Sequence, residues 1–215
     1  MICVIQEVLY RLFAEEFERH AVSSASEVYV TALVQCPLKF FFSIKYRDIA
    51  RVQIYQPQLI VGKILHIGLE RLLEKSSDFE IVGFEVDVEK RISIESNGLP
   101  MFVTIRGRID VLTKVNGELV PVEIKTARGD YNIPSEHHVL QLRIYMNMVN
   151  ASKGVLFYLT PDRIAEITIE KPLDDYDLQK LVEGFMKRKG PRYGWECGYC
   201  PFNILCSSKR PNSKR

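Results

Sequence analysis

The sequence predicts an α/β domain with a mixed central sheet. Three observations predict it. Helical and strand periodicities follow one another as helices, a three-strand meander, a helix, two strands and a last helix. Asn116-Gly117 sits between two apolar runs, a two-residue hairpin signal. A chain of 215 residues, 47% hydrophobic and 26% charged, is long enough and ordinary enough in composition to bury a real core.

Residues 1–20 place Leu9, Leu12, Phe13 and Phe17 at helical spacing, and Ser23-Ser24-Ala25-Ser26 breaks the pattern. Residues 31–46 read as a second helix, with Phe40-Phe41-Phe42 as core. Residues 58–75 read as an amphipathic helix with Leu59, Gly62, Leu65, His66, Leu69, Leu72 and Leu73 on its apolar side. His66 lies at the edge of that side, where a hydrogen-bonded core histidine is the ordinary explanation. Strands are expected over 81–94, 102–114 and 118–126, then a loop, a helix opening near Pro134 and running to about Asn150, strands over 155–160 and 164–169, and a helix over 173–189.

The chemistry concentrates in the hairpin. With a strand's period of two, Asp110 shares a face with Arg108 and Glu123 with Lys125, while Ile109, Val111, Val122 and Ile124 point the other way. Two carboxylates brought together repel unless a cation lies between them, and Mg²⁺ or Mn²⁺, with its preference for oxygen ligands, fits that place. Lys125 would then orient or activate a water, or neutralise charge developing on a phosphate. The plain alternative is a solvated Glu-x-Lys pair on an exposed strand.

The net charge of +2 conceals an asymmetry. Residues 187–215 carry eight basic side chains against one acid, Glu196, and the rest of the chain is net negative. That distribution suits a polyanionic partner, although a basic tail free in solvent would look the same. No apolar run is long enough to span a bilayer, and an acid precedes the first basic residue, so no signal peptide is read and a cytoplasmic protein is expected. There five cysteines point to metal or redox chemistry before disulfides.

Cys197, Cys200 and Cys206 form a tight trio that wants a fourth ligand, for which Cys36 is the natural candidate; Cys3 is left over as a small buried hydrophobe. One distant cysteine and a compact trio match the paired knuckles of structural zinc less well than an iron–sulfur cluster stapling the chain ends, and zinc stays open on spacing alone.

Taken together, these residues resemble the RecB-type nucleases of the PD-(D/E)xK superfamily, and most closely the Cas-four exonucleases of CRISPR adaptation. Asp110, Glu123 and Lys125 match the superfamily pattern; His66, in Val61-Gly62-Lys63-Ile64-Leu65-His66, and the Gln141-x-x-x-Tyr145 helix match the RecB additions; Cys36, Cys197, Cys200 and Cys206 match the cluster ligands. A departure is Val120-Pro121-Val122-Glu123, where the proline accompanies the glutamate instead of the aspartate.

The resemblance implies a restriction-endonuclease-like core over residues 57–190, an N-terminal helical segment (1–56) supplying one cluster cysteine, and a C-terminal cysteine segment with a basic tail (191–215). It implies Mn²⁺ or Mg²⁺ held by His66, Asp110, Glu123 and the carbonyl of Ile124, Lys125 acting on water, and Gln141 and Tyr145 orienting Lys125 or DNA. A structural iron–sulfur cluster is expected, 4Fe–4S first with 2Fe–2S open. The implied activity is 5′-to-3′ exonuclease action on single-stranded DNA in spacer acquisition, with the CRISPR integrase as partner and a homo-oligomer open. Two rivals remain: a RecB-like repair nuclease served by a separate helicase, since this chain has no Walker phosphate loop, and a non-catalytic metal-bearing DNA-binding subunit.

Overall fold

The structure is a computed structural model that describes residues 4–19, 24, 26–77, 80–96, 98–127 and 129–211. Cys3 and the terminal Lys214 and Arg215 lie outside them. Helix α1 (Val4–Arg19) leads to a short strand β1 (Glu27–Tyr29), then to α2 (Val30–Leu33), α3 (Pro37–Lys45), α4 (Arg47–Arg51) and α5 (Pro57–Leu73). The meander follows as β2 (Glu80–Ser96), β3 (Leu99–Val115) and β4 (Glu118–Thr126), then α6 (Glu136–Met148), β5 (Gly154–Leu159), β6 (Ile164–Ile169) and α7 (Asp175–Met186).

The strands form one mixed sheet. β3 pairs antiparallel with β2 along nearly its whole length and with β4 from Val111↔Val122 to Val115↔Glu118. β4 runs parallel to β5, and β6 closes that edge antiparallel. The hairpin turn is as expected: Asn116 (φ 52) and Gly117 (φ 85) both have positive φ, the requirement of the turn that matches strand twist.

Several expectations are corrected. The predicted helix over 31–46 is two helices, because Pro37 disfavours helical backbone at the preceding Cys36 (φ −58, ψ 118) and itself opens α3. Gln56-Pro57 opens α5 in the same way. The helix expected near Pro134 starts at Glu136 instead, where the Ser135 carbonyl accepts the first helical N–H groups from His138 and Val139. The last helix ends at Met186. Strand β1, which falls between the break expected over 23–26 and the helix expected over 31–46 and belongs to no expected element, is too short to show alternation and is held by parallel pairing to Thr104–Arg106 of β3.

The sheet's two faces are filled unequally. On one side α2, α3, α6 and α7 bury Val30, Leu33, Phe40, Ile105, Ile109, Leu112, Leu178 and Phe185, with Leu142, Met146, Leu156 and Tyr158 beside them. On the opposite face α5 packs against β4, and a cavity of about 230 Å³ remains among Leu69, Leu73, Val111, Val122, Ile124 and Phe157. No residue of α5 is fully buried, so its apolar side is only partly used; Leu59, Leu65 and Leu72 stay exposed. Ile109 and Val111, expected on one face, lie on opposite ones. The β2–β3 ladder skips the Glu85/Asp110 position, where Glu85 takes a left-handed backbone (φ 49), and four residues in succession, Ile109 to Leu112, are buried.

Gly107 marks a close approach: a Cβ there would collide with the Tyr145 ring and crowd Val30. Gly107→Ala is expected to destabilise the chain by about 1–3 kcal/mol, read as a lower urea midpoint with unchanged slope; an unchanged midpoint would mean Tyr145 is free to move aside.

Candidate active site

The kink at Glu85 and the end of the β3–β4 ladder occur at the same level, and there the two strands part. Beyond Val111↔Val122 the Asp110 carboxylate replaces backbone pairing, its Oδ2 accepting the Ile124 N–H at 2.7 Å. Glu123 and Lys125 share a face, as alternation predicts, and Gln141 reaches them from α6. Lys125 Nζ donates to Glu123 Oε1 at 2.6 Å and to Gln141 Oε1 at 3.2 Å. Gln141 Nε2 donates to Glu123 Oε1 at 2.6 Å, with the Tyr145 hydroxyl 3.5 Å away. From α5, His66 Nδ1 stands 3.7 Å from Asp110 Oδ1. His66, Asp110, Glu123, Lys125, Gln141 and Tyr145 all line one cavity of about 550 Å³.

Its electrostatics follow from burial. Asp110 is 9% exposed and Glu123 2%. Loss of water, then the Asp110 charge, pushes Glu123 up to about 8. Loss of water also raises Asp110 and lowers His66, leaving a neutral imidazole able to donate a lone pair. Burial alone would lower the Lys125 pKa, but Glu123 and Asp110 outweigh it and hold the ammonium above the usual lysine value. Tyr145 is raised well above the usual range by burial, then by Glu123, and stays a neutral hydroxyl.

Glu123 Oε2 is buried with no hydrogen-bond partner. That oxygen, the free Oδ1 side of Asp110 and neutral His66 make a donor set of the kind a hard divalent cation takes. Among the described residues no three His, Cys, Asp or Glu side chains are already closed to metal-ligand spacing; the donors are gathered around a cavity. Sequence reading missed a second layer. Glu85 accepts from Lys63 (3.1 Å) and Arg108 (2.8 Å), and Lys63 also reaches Glu16 of α1 (3.2 Å), so cationic side chains rim the same cavity. No local pattern marks Lys63 or Glu85, because the kink that unites them is tertiary.

The four predicted cysteines also converge. Cys36, Cys197, Cys200 and Cys206 are free thiols around one small cavity of about 20 Å³. Arg210 N–H donates to Cys197 Sγ at 3.4 Å, and a Cβ on Gly190 would collide with the Cys36 sulfur. Burial raises the Cys36 and Cys200 thiols, and Lys39 lies close enough to favour a Cys200 thiolate. Glu196 ties the assembly: Oε1 accepts the Cys36 N–H at 2.6 Å, and Oε2 accepts those of Arg192 (2.7 Å) and Tyr193 (2.8 Å). As the single acid in a basic segment, Glu196 carried a sequence signal that went unused.

Fold and site together are those of a nuclease whose paired carboxylates and lysine lie on adjoining strands. The profile of the PD-(D/E)XK nuclease superfamily matches residues 68–207. Over 208 residues, 96% of this chain and 99% of the relative, the chain is 38% identical to a protein of Saccharolobus solfataricus named CRISPR-associated exonuclease Cas4. The crystal structure of SSO0001 superposes with a TM-score of 0.86 at 39% identity, covering 96% of this chain and 98% of that one. The chain therefore belongs to the PD-(D/E)XK nuclease superfamily and, within it, to the Cas4 exonuclease family. Among the described residues, no helix is long and apolar enough to cross a membrane.

A cation that binds the folded site but not the unfolded chain stabilises the fold by mass action. Added Mn²⁺ should raise the melting temperature of the wild-type chain and leave that of Glu123→Gln unchanged; an equal rise in both would place the ion elsewhere.

Proposed function

We propose that the chain is a divalent-metal-dependent DNA exonuclease that shortens single-stranded ends, 5′ to 3′, for CRISPR spacer acquisition. The observation that carries this reading is the buried triangle of Glu123, Lys125 and Gln141 beside Asp110, with Glu123 Oε2 left unanswered. Asp110, Glu123, His66 and the Ile124 carbonyl would hold Mn²⁺ or Mg²⁺. When bound, such an ion supplies Lewis acidity toward a phosphate oxygen and lowers the pKa of water.

The protein's own groups do the rest. Lys125, held as a cation by two carboxylates, donates to the attacking water or to the phosphate oxygens on which negative charge develops. Gln141 fixes the rotamers of Lys125 and Glu123 at once, since its amide donates to one and accepts from the other. Tyr145 closes the apolar side of the cavity and offers a neutral donor. Lys63 and Arg108 are placed to attract the backbone phosphates of an entering strand. The named activity of the Saccharolobus relative favours this setting over a helicase-partnered repair nuclease or a non-catalytic subunit, and the CRISPR integrase is the partner that the motif resemblance implies.

The cysteine cavity is read as the seat of an iron–sulfur cluster, 4Fe–4S in preference to 2Fe–2S, joining the N-terminal segment (1–56) to residues 191–215 around the core. Four free cysteines on one cavity, an amide aimed at a sulfur and a glycine where no Cβ fits support it.

On end-labelled single-stranded DNA, Glu123→Ala and Lys125→Ala should each abolish Mn²⁺-dependent shortening while still folding, with a lowered melting temperature because each leaves its buried partner unanswered; a folded variant that still cuts would remove its residue from the mechanism. Cys200→Ser, purified without oxygen, should lose iron and its visible absorbance, whereas iron content equal to wild type would rule that cysteine out as a ligand.

A further inference from the structure

A second, larger concavity of about 1080 Å³ opens beside the cleavage cavity, where the start of α6 faces the segment after α7. Its walls are aromatic. The Tyr193 and Trp195 rings lie parallel, 8° apart in plane with centroids at 5.8 Å. His137 packs on Trp195 at 5.0 Å and on His138 at 4.0 Å. Behind them His138 Nδ1 is 2.7 Å from the Tyr158 hydroxyl, which also accepts the Ser135 N–H at 3.1 Å. Tyr193, Trp195 and His137 are only partly buried, so ring surface remains open to the groove.

The helix α6 links this groove to the chemistry. His137, Gln141 and Tyr145 recur every four residues along one side of it, the first in the groove and the other two in the cleavage cavity. Four residues of helix advance about 6 Å, so a polymer with one phosphate at Asp110, Glu123 and Lys125 carries its neighbouring units directly to the aromatic rings. Burial, then the charge of Lys125, holds His137 down at about 4, which leaves a neutral flat ring there.

We propose that this groove is a nucleobase-stacking site for single-stranded DNA, in which Trp195, Tyr193 and His137 hold the bases flanking the phosphodiester to be cut. The proposal takes its ligand from the nuclease reading above, but its test needs no cleavage. Stacking on aromatic faces is tolerant of sequence because every base presents a π-face, and it selects single strands because duplex bases are already stacked on one another. The groove sits on the segment that Glu196 ties to Cys36 through the amides of Arg192 and Tyr193. The cysteine site thereby anchors the aromatic wall.

Trp195 is the sole tryptophan of the chain, so its fluorescence reports on the groove directly. The whole chain, purified without oxygen and kept in EDTA, is titrated with oligothymidylate and with an abasic oligonucleotide of equal length and charge. The base-bearing strand should quench Trp195 and bind more tightly, the abasic strand should leave the emission unchanged. Trp195→Ala should weaken oligothymidylate binding by about 5- to 150-fold without changing the slope against salt, which counts phosphate contacts, and Trp195→Phe should restore it to within a few-fold. Equal binding and quenching by the two strands, or unaltered affinity in a folded Trp195→Ala, would overturn the proposal. Should Trp195→Ala fail to fold, the comparison of the two strands on wild-type protein decides alone. Base-dependent quenching without Mn²⁺-dependent shortening would refute the nuclease reading and keep the groove; shortening without base dependence would do the reverse.

Discussion

The structure depends on burying charge where β3 and β4 part. Glu123 loses nearly all its water, and that loss is the largest influence on its carboxyl. Lys125 and Gln141 answer one of its oxygens and leave the other without a partner. A buried carboxylate in that condition is costly unless a cation or proton meets it. The strands, α5 and α6 hold these groups in place from three sides, so the site is preorganised before any substrate arrives. The kink at Glu85 serves the same end, since a regular ladder at Asp110 would not leave its carboxylate to accept the Ile124 amide.

The second point of dependence is Glu196. One buried carboxylate accepts three backbone amides, one from the N-terminal half and two from the C-terminal segment. Charge-assisted bonds of this kind are stronger than neutral ones, and they fix Cys36 against Cys197 and Cys200 without needing the sulfurs to touch. Phe42 and Phe202 pack beside them at 5.8 Å, so an apolar contact supports the polar one. The stretch around Cys36 and the segment after α7 are thus brought together, and the aromatic groove is formed in part from the same segment.

The asymmetric filling of the sheet separates the site's two neighbourhoods. The face under α6 and α7 is densely packed, and it carries Glu123, Lys125 and Gln141 on a rigid base. The face under α5 keeps a cavity and exposed leucines. His66 comes from that looser helix, and its 3.7 Å separation from Asp110 is the longest of the site's polar approaches.

What the sequence by itself determined are features set by neighbours along the chain. Alternation placed Glu123 and Lys125 on one face, Asn116-Gly117 set the turn, helical spacing aligned Gln141 with Tyr145, and the close spacing of Cys197, Cys200 and Cys206 marked them as a ligand trio. Each rests on local geometry, strand period, turn φ values or helix rise, which a short window of residues contains. Tertiary structure alone decided the rest. Strand β1 exists because β3 offers it an edge, Ile109 and Val111 part because β2 kinks opposite Asp110, and α5 leaves leucines exposed because no residue of it is fully buried in the packing. The partnerless oxygen of Glu123 and the hydrogen bond from the Cys36 amide to Glu196 arise likewise from groups far apart in sequence, and burial, which sets their energies, is a property of the whole packed chain.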